Sequence, residues 1–188
     1  MRRTPILATV ALALVLAGCS SPAQTESTTD DGSSSSVPAA TGDRLDGDGY
    51  SYNVPEGWGI PEGTEIPTGV DTAAADVNDT DGFADNINVV INPEGDISPE
   101  DIETAAAQQL EGSGATEVEV GERTEIAGAE TAQITALLES GGATYRIDQY
   151  YPNHDGQTYV VTLSFNETVS EADRDEIAQS VFATWEWA

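Results

Sequence analysis

The side chains with which this 188-residue chain could do chemistry are one cysteine, one histidine and thirty-four carboxylates, with no lysine among its six basic residues. A hydroxyl or thiol nucleophile needs a base beside it. The single imidazole, His154, falls in the turn-forming run Pro152-Asn153-His154-Asp155-Gly156, and no Gly-x-Ser-x-Gly segment accompanies it. His154 therefore reads as a solvated turn residue. Serine–lysine dyads, Schiff-base chemistry and a P-loop all require the missing lysine. Zinc or copper would want several histidine or cysteine ligands, which the chain does not supply.

Carboxylates remain. Glycosidases work with a pair of them, yet among thirty-four no spacing singles out a pair. Hard cations prefer carboxylate and carbonyl oxygens, and the densest group is Asp76-Val77-Asn78-Asp79-Thr80-Asp81-Gly82-Phe83-Ala84-Asp85. Aligned as an EF-hand with Gly82 at the sharp turn, the loop would begin on Val77 and end on Asn88, so that geometry fails. A polar turn between two strands is expected, with a calcium site as the alternative reading. Trp58, Tyr150, Trp185 and Trp187 could line a ligand groove; the competing expectation puts Trp185 in the buried stripe of the last helix and Trp187 over the sheet. No catalytic, cofactor-binding or metal-binding residue is assigned.

The cysteine is the exception. Arg2-Arg3 precede a twelve-residue apolar run, Ile6–Ala17, and Leu16-Ala17-Gly18-Cys19 closes it. This order of basic, apolar and small residues marks an export signal, and a membrane-spanning helix would need about 20 residues. The four residues resemble the lipobox of bacterial lipoproteins, which implies acylation of Cys19 and cleavage before it. A diacylglyceryl group supplies two acyl chains, which anchor stably where one is marginal. Arg2-Arg3 without a recognisable flanking motif favours the general secretory route over the twin-arginine one. With its one thiol committed to lipid, the mature chain can form no internal disulfide.

Behind the signal (residues 1–18), residues 19–44 are dominated by Ser, Thr, Asp, Pro and Ala and cannot bury enough apolar surface to offset ordering, so they read as a flexible tether. The domain is expected from residue 45 to 188, a monomeric unit large enough for one core. The formal charge of the whole chain, −28, becomes more negative once Arg2 and Arg3 are removed. That excludes nucleic acid, whose phosphates need neutralising cations.

Alternation at Tyr50, Tyr52 and Val54 predicts a half-buried strand, and Ile87, Val89 and Ile91 predict another, with a weaker one over Asp71–Val77. Ser98-Pro99-Glu100-Asp101 opens a helix carrying Ile102, Ala106 and Leu110 and stopping at Gly112. Strands follow over Thr116–Ile126, Glu130–Glu139 and Ala143–Tyr151, the last with Arg146, Asp148 and Tyr150 opposite Tyr145, Ile147 and Tyr151. Tyr159, Val161, Leu163 and Phe165 give the clearest inward face. Ser170 starts a final helix with Ala178, Val181, Phe182 and Trp185 in its stripe. The order argues for an α+β fold with an antiparallel sheet covered by helices.

The Tyr-Ser-Tyr-Asn-Val-Pro-Glu-Gly-Trp opening at 50–58, the Asn-rich strand at 86–92, the Tyr-Val-Val-Thr-Leu-Ser strand and the terminal Ser-Val-Phe-Ala-Thr-Trp-Glu-Trp resemble the PsbP/DcrB-like lipoproteins, including the LpqN-type exported group. The resemblance spans about residues 48–187. It implies a curved antiparallel sheet in an α/β/α sandwich, serving as a binding or accessory module at membranes, with no catalytic residues to transfer. The combined expectation is a non-enzymatic module on the extracytoplasmic face of the membrane, held there by the lipid on Cys19 and contacting a protein or small ligand. A calcium-binding module and a carboxylate-based hydrolase are the alternatives.

Overall fold

The computed structural model describes residues 37–188; the expected signal, Cys19 and most of the expected tether lie outside them. Eleven strands and two helices follow in order: β1 (Arg44–Asp46), β2 (Tyr50–Asn53), β3 (Trp58–Gly59), β4 (Thr72–Asp76), β5 (Asn86–Ile91), α1 (Pro99–Gly112), β6 (Thr116–Val120), β7 (Thr124–Ile126), β8 (Ala129–Ser140), β9 (Ala143–His154), β10 (Gln157–Asn166), α2 (Glu171–Phe182) and β11 (Glu186–Trp187).

An eight-stranded sheet in the order β3-β4-β5-β10-β9-β8-β6, with β7 also on β8, forms the middle layer, and every pairing in it is antiparallel. Strand period two sends alternate residues to opposite faces. On one face Ala132, Ile134 and Tyr151 meet Ile102 of α1. On the other, Ile87, Val89, Val161, Leu163 and Phe165 meet Ala178 and Val181 of α2 together with Tyr50, Tyr52 and Val54. Val161, Leu163 and Phe165 are wholly buried, each contributing about 1.5–3 kcal/mol. The architecture is the expected α+β sandwich of an antiparallel sheet between helices, extended by a second sheet, β1-β2-β11, beside α2.

Both helices start as their sequences predict. Ser98 and Ser170 accept from the amides of Asp101 and Asp173, and Pro99 occupies the first turn.

Four local expectations are corrected. Residues before 45 belong to the folded domain: Ala40 is buried and donates its amide to Ser180 O at 2.9 Å, and Gly42 donates to Val54 O at 2.8 Å. A Cβ at Gly42 would collide with the Val54 and Pro55 carbonyls, so only glycine fits there. Thr116–Ile126 is two strands, β6 and β7, parted at residues 121–123, and β6 itself carries an irregularity against β8 between Thr116 and Glu119, where Glu117 adopts φ +48°; Val120, expected inward, is 48% exposed. Arg146, Asp148 and Tyr150 lie on a covered face, with Asp148 and Tyr150 buried near α2. Trp185 sits beyond the end of α2, and lies flat across Tyr50 and Tyr52 at ring separations of 4.8 and 5.0 Å.

Candidate functional site

A concavity lies along α1. The helix covers β8 and β6, so its exposed flank and the β5–β10–β9 side of the same face bound a cleft of about 420 Å³. Val90, Val160, Gln149 and Tyr151 line its sheet side, and Ile102, Ala106 and Gln109 its helix side. The floor is ordered by a polar chain: the Tyr151 hydroxyl donates to Gln149 Oε1 at 2.7 Å, and Gln149 Nε2 donates to Thr162 Oγ1 at 3.1 Å. Burial pushes the Tyr151 hydroxyl pKa well up, so it remains a proton donor. The loop from β5 to α1 is pinned to the β9–β10 hairpin: Asn153 Nδ2 donates to Ile97 O at 2.6 Å, and the Ile97 amide donates to Thr158 Oγ1 at 2.9 Å. Glu94 is the one charged residue in the lining. On so acidic a chain this is an opening with little charge in its lining.

A second cavity, of about 370 Å³, lies on the opposite face beside the first turns of α2. Arg174 reaches it from the same helical stripe as Ala178 and Val181, at spacings of four and seven, and Asp148 from the middle of β9. Arg174 Nε donates to Asp148 Oδ2 at 2.8 Å and its Nη1 to Val169 O at 3.1 Å. Side-chain exposure is 8% for Arg174 and 1% for Asp148. Burial raises the Asp148 pKa, against the lowering effect of Arg174. Sequence reading missed this pair because alternation alone placed Asp148 with solvent. The signal was Arg174 falling on an apolar helical stripe.

His154 meets no hydroxyl nucleophile. Its ring stacks on Trp187 at 4.5 Å, and its Nε2 lies 3.7 Å from Asp155 Oδ2 at the hairpin. The residue ends β9 at the hairpin, with its side chain 32% exposed and one ring face covered by Trp187.

The Asp76–Asp85 segment forms the expected polar turn. Asp76, Asp79 and Asp81 accept from the amides of Asn78, Asp81 and Phe83, and Asp85 accepts from the Asn166 amide at 2.9 Å. Partial burial, with Asp79, Asp81 and Asp76 nearby, lifts the Asp85 carboxyl to about 6. Among the described residues no three His, Cys, Asp or Glu side chains are grouped to hold a metal ion. Trp58, Tyr150 and Trp185 are buried within the main core, 7%, 3% and 4% exposed, and so do not form the open aromatic groove considered from the sequence. Cys19 lies outside the described residues.

No family model and no curated protein matches the chain. Solved structures do. Cyanobacterial PsbP from Synechocystis is 17% identical with a TM-score of 0.53, the match covering 81% of this chain and 95% of that one. LpqN of Mycobacterium tuberculosis, described as involved in cell envelope biogenesis, is 17% identical with a TM-score of 0.51 over 79% of this chain and 87% of its own. The Ran-binding protein Mog1p of Saccharomyces cerevisiae is 14% identical with a TM-score of 0.55 over 79% and 96%. Against a Bacteroides thetaiotaomicron structure, 15% identical with a TM-score of 0.50 over 78% of this chain, the chain spans about half the length, 48%. The fold is therefore PsbP-like, as the sequence resemblance implied. At these identities the likeness concerns the fold alone.

Proposed function

We propose that this chain is an extracytoplasmic accessory module, anchored through lipid on Cys19, that binds a neutral segment of another protein or a small uncharged ligand in the α1 cleft without turning it over. The observation that carries this reading is the cleft itself: a concavity with an apolar wall, an ordered Tyr151–Gln149–Thr162 floor and a single charge in its lining. Ligand sites combine apolar walls with a few fixed polar groups in this way. Among the described residues no helix is long and apolar enough to cross a membrane, which is consistent with attachment by lipid. LpqN, with the same fold, is tied to the cell envelope, and Mog1p binds another protein; both support a contact-based role by analogy.

The test is a photo-reactive residue at Gln109 in the full chain, activated in intact cells. A discrete adduct is expected, and Ala106→Trp, which fills the cleft, should abolish it. An adduct of unchanged yield in the filled variant would refute binding at this cleft. Cys19→Ser should move the protein from the membrane to the soluble fraction, and unchanged membrane retention would refute the anchor.

A further inference from the structure

The cavity beside α2 has features that the α1 cleft does not explain. Its walls are almost wholly polar: Gln133, Thr135, Arg146 and Asp148 come from β8 and β9, Glu119 from β6, Glu167 from the turn before α2, and Glu171, Arg174 and Asp175 from α2 itself. Both arginines are already engaged, Arg146 with Glu117 at 2.6 Å and Arg174 with Asp148 Oδ2 at 2.8 Å. Glu119, Glu167, Glu171 and Asp175 make no ion pair among the described residues, so the lining keeps an excess of negative charge.

The decisive detail is at the base. Asp148 is 1% exposed and stands in the wall of the cavity, yet its Oδ1 has no hydrogen-bond partner. A buried carboxylate oxygen without a donor is costly, and native structures rarely leave one unmet. An N–H or O–H donor would satisfy this oxygen, and the surrounding carboxylates favour one that is positively charged.

We propose that this cavity receives the ammonium or guanidinium group of an organic cation, which donates to Asp148 Oδ1 and is held electrostatically by Glu119, Glu167, Glu171 and Asp175. A compact divalent metal suits the site less well, since it needs several oxygens converging on one point, and no such grouping exists among the described residues. Burial raises both the Asp148 and Asp175 carboxyls, and Glu171 adds to the second; a cation in the cavity would offset both effects. The site stands independently of the α1 cleft, on the other face of the sheet.

The experiment is calorimetric titration of the full chain with agmatine, with a blocked Gly-Arg-Gly peptide, with calcium chloride and with glycerol as an uncharged control, accompanied by amide chemical-shift mapping. Agmatine is expected to bind and to shift Thr135, Asp148 and Glu171, with Asp148→Asn weakening it at least tenfold. Should that variant fail to fold, Glu171→Gln with Asp175→Asn, changed on the outer turns of α2, must weaken binding at least threefold. Peptide affinity equal to or above that of agmatine identifies a basic side chain of a partner protein as the occupant, and binding by agmatine alone identifies a free organic amine. Absence of binding by both cations, affinities unmoved in the folded variants, or calcium displacing agmatine from these residues overturns the proposal.

Discussion

Replacing Arg174 by methionine isolates the energetics of the buried ion pair. The substitution keeps most of the side-chain volume and removes the donors to Asp148 Oδ2 and Val169 O. Asp148 is then a carboxylate with neither oxygen paired, in a place where it is 1% exposed. Breaking one side of such a pair costs about 3–5 kcal/mol, whereas replacing both partners with apolar groups is often close to neutral. Arg174→Met should therefore lower the unfolding free energy by about 3–5 kcal/mol at pH 7, with a fall in Tm on the order of 10 °C. Asp148→Leu with Arg174→Met should return to within about 1 kcal/mol of the parent. The sign of the pH effect follows from the carboxyl. Its folded pKa is raised by burial and rises further without Arg174, so the folded variant binds a proton that the unfolded chain releases until the pH nears the ordinary carboxyl value of about 4. The single variant should regain stability as pH falls from 7 towards 4. Urea denaturation across that range measures this directly. A single-variant loss below about 1 kcal/mol, or a double variant as unstable as the single, would refute the reasoning.

Asp85 gives a second pH signature: its carboxyl, lifted to about 6, makes the folded state gain stability as pH falls through 6 towards the unfolded value of about 4. Asp85→Asn should add about 1 kcal/mol at pH 7, after allowance for solvent screening, and flatten that segment of the profile; an unchanged slope in urea denaturation contradicts the assignment. Trp185→Ala removes the ring lying across Tyr50 and Tyr52 and should cost about 3–5 kcal/mol, with loss of near-ultraviolet dichroism; a loss under about 1 kcal/mol counts against that stack as core. Ser170→Ala deletes the cap to the Asp173 amide and should cost about 1 kcal/mol in thermal unfolding, with no change expected at the α1 cleft.

Local chemistry made much of the fold legible. The capping serines at 98 and 170 and the alternation at Tyr159, Val161, Leu163 and Phe165 each act within a few residues of themselves, and each is found where the sequence puts it. What sequence periodicity could not carry was partnership. It marks one face of a strand apolar but does not say what covers the other, so Asp148, set opposite Tyr145, Ile147 and Tyr151, gave no sign of being buried. Nor does it say that β11 will pair with β2 across most of the chain. The irregularity inside β6 falls where a residue other than glycine, Glu117, takes a positive φ, which composition does not announce. For the same reason the α1 cleft was hidden: it exists because a helix of ordinary amphipathic pattern settles over β8 and β6 and leaves the neighbouring strands partly open.

The position of Trp185 has a consequence for how the molecule is made. The pair of tyrosines it lies across, Tyr50 and Tyr52, leaves the ribosome and any export channel more than a hundred residues ahead of it. Until that indole emerges, Tyr50 and Tyr52 can meet Thr72 and Tyr159 but lack the ring that lies across both of them, so this part of the core cannot be completed part-way through synthesis. A chain still being threaded is thereby kept open, and final sealing waits for almost its last residues.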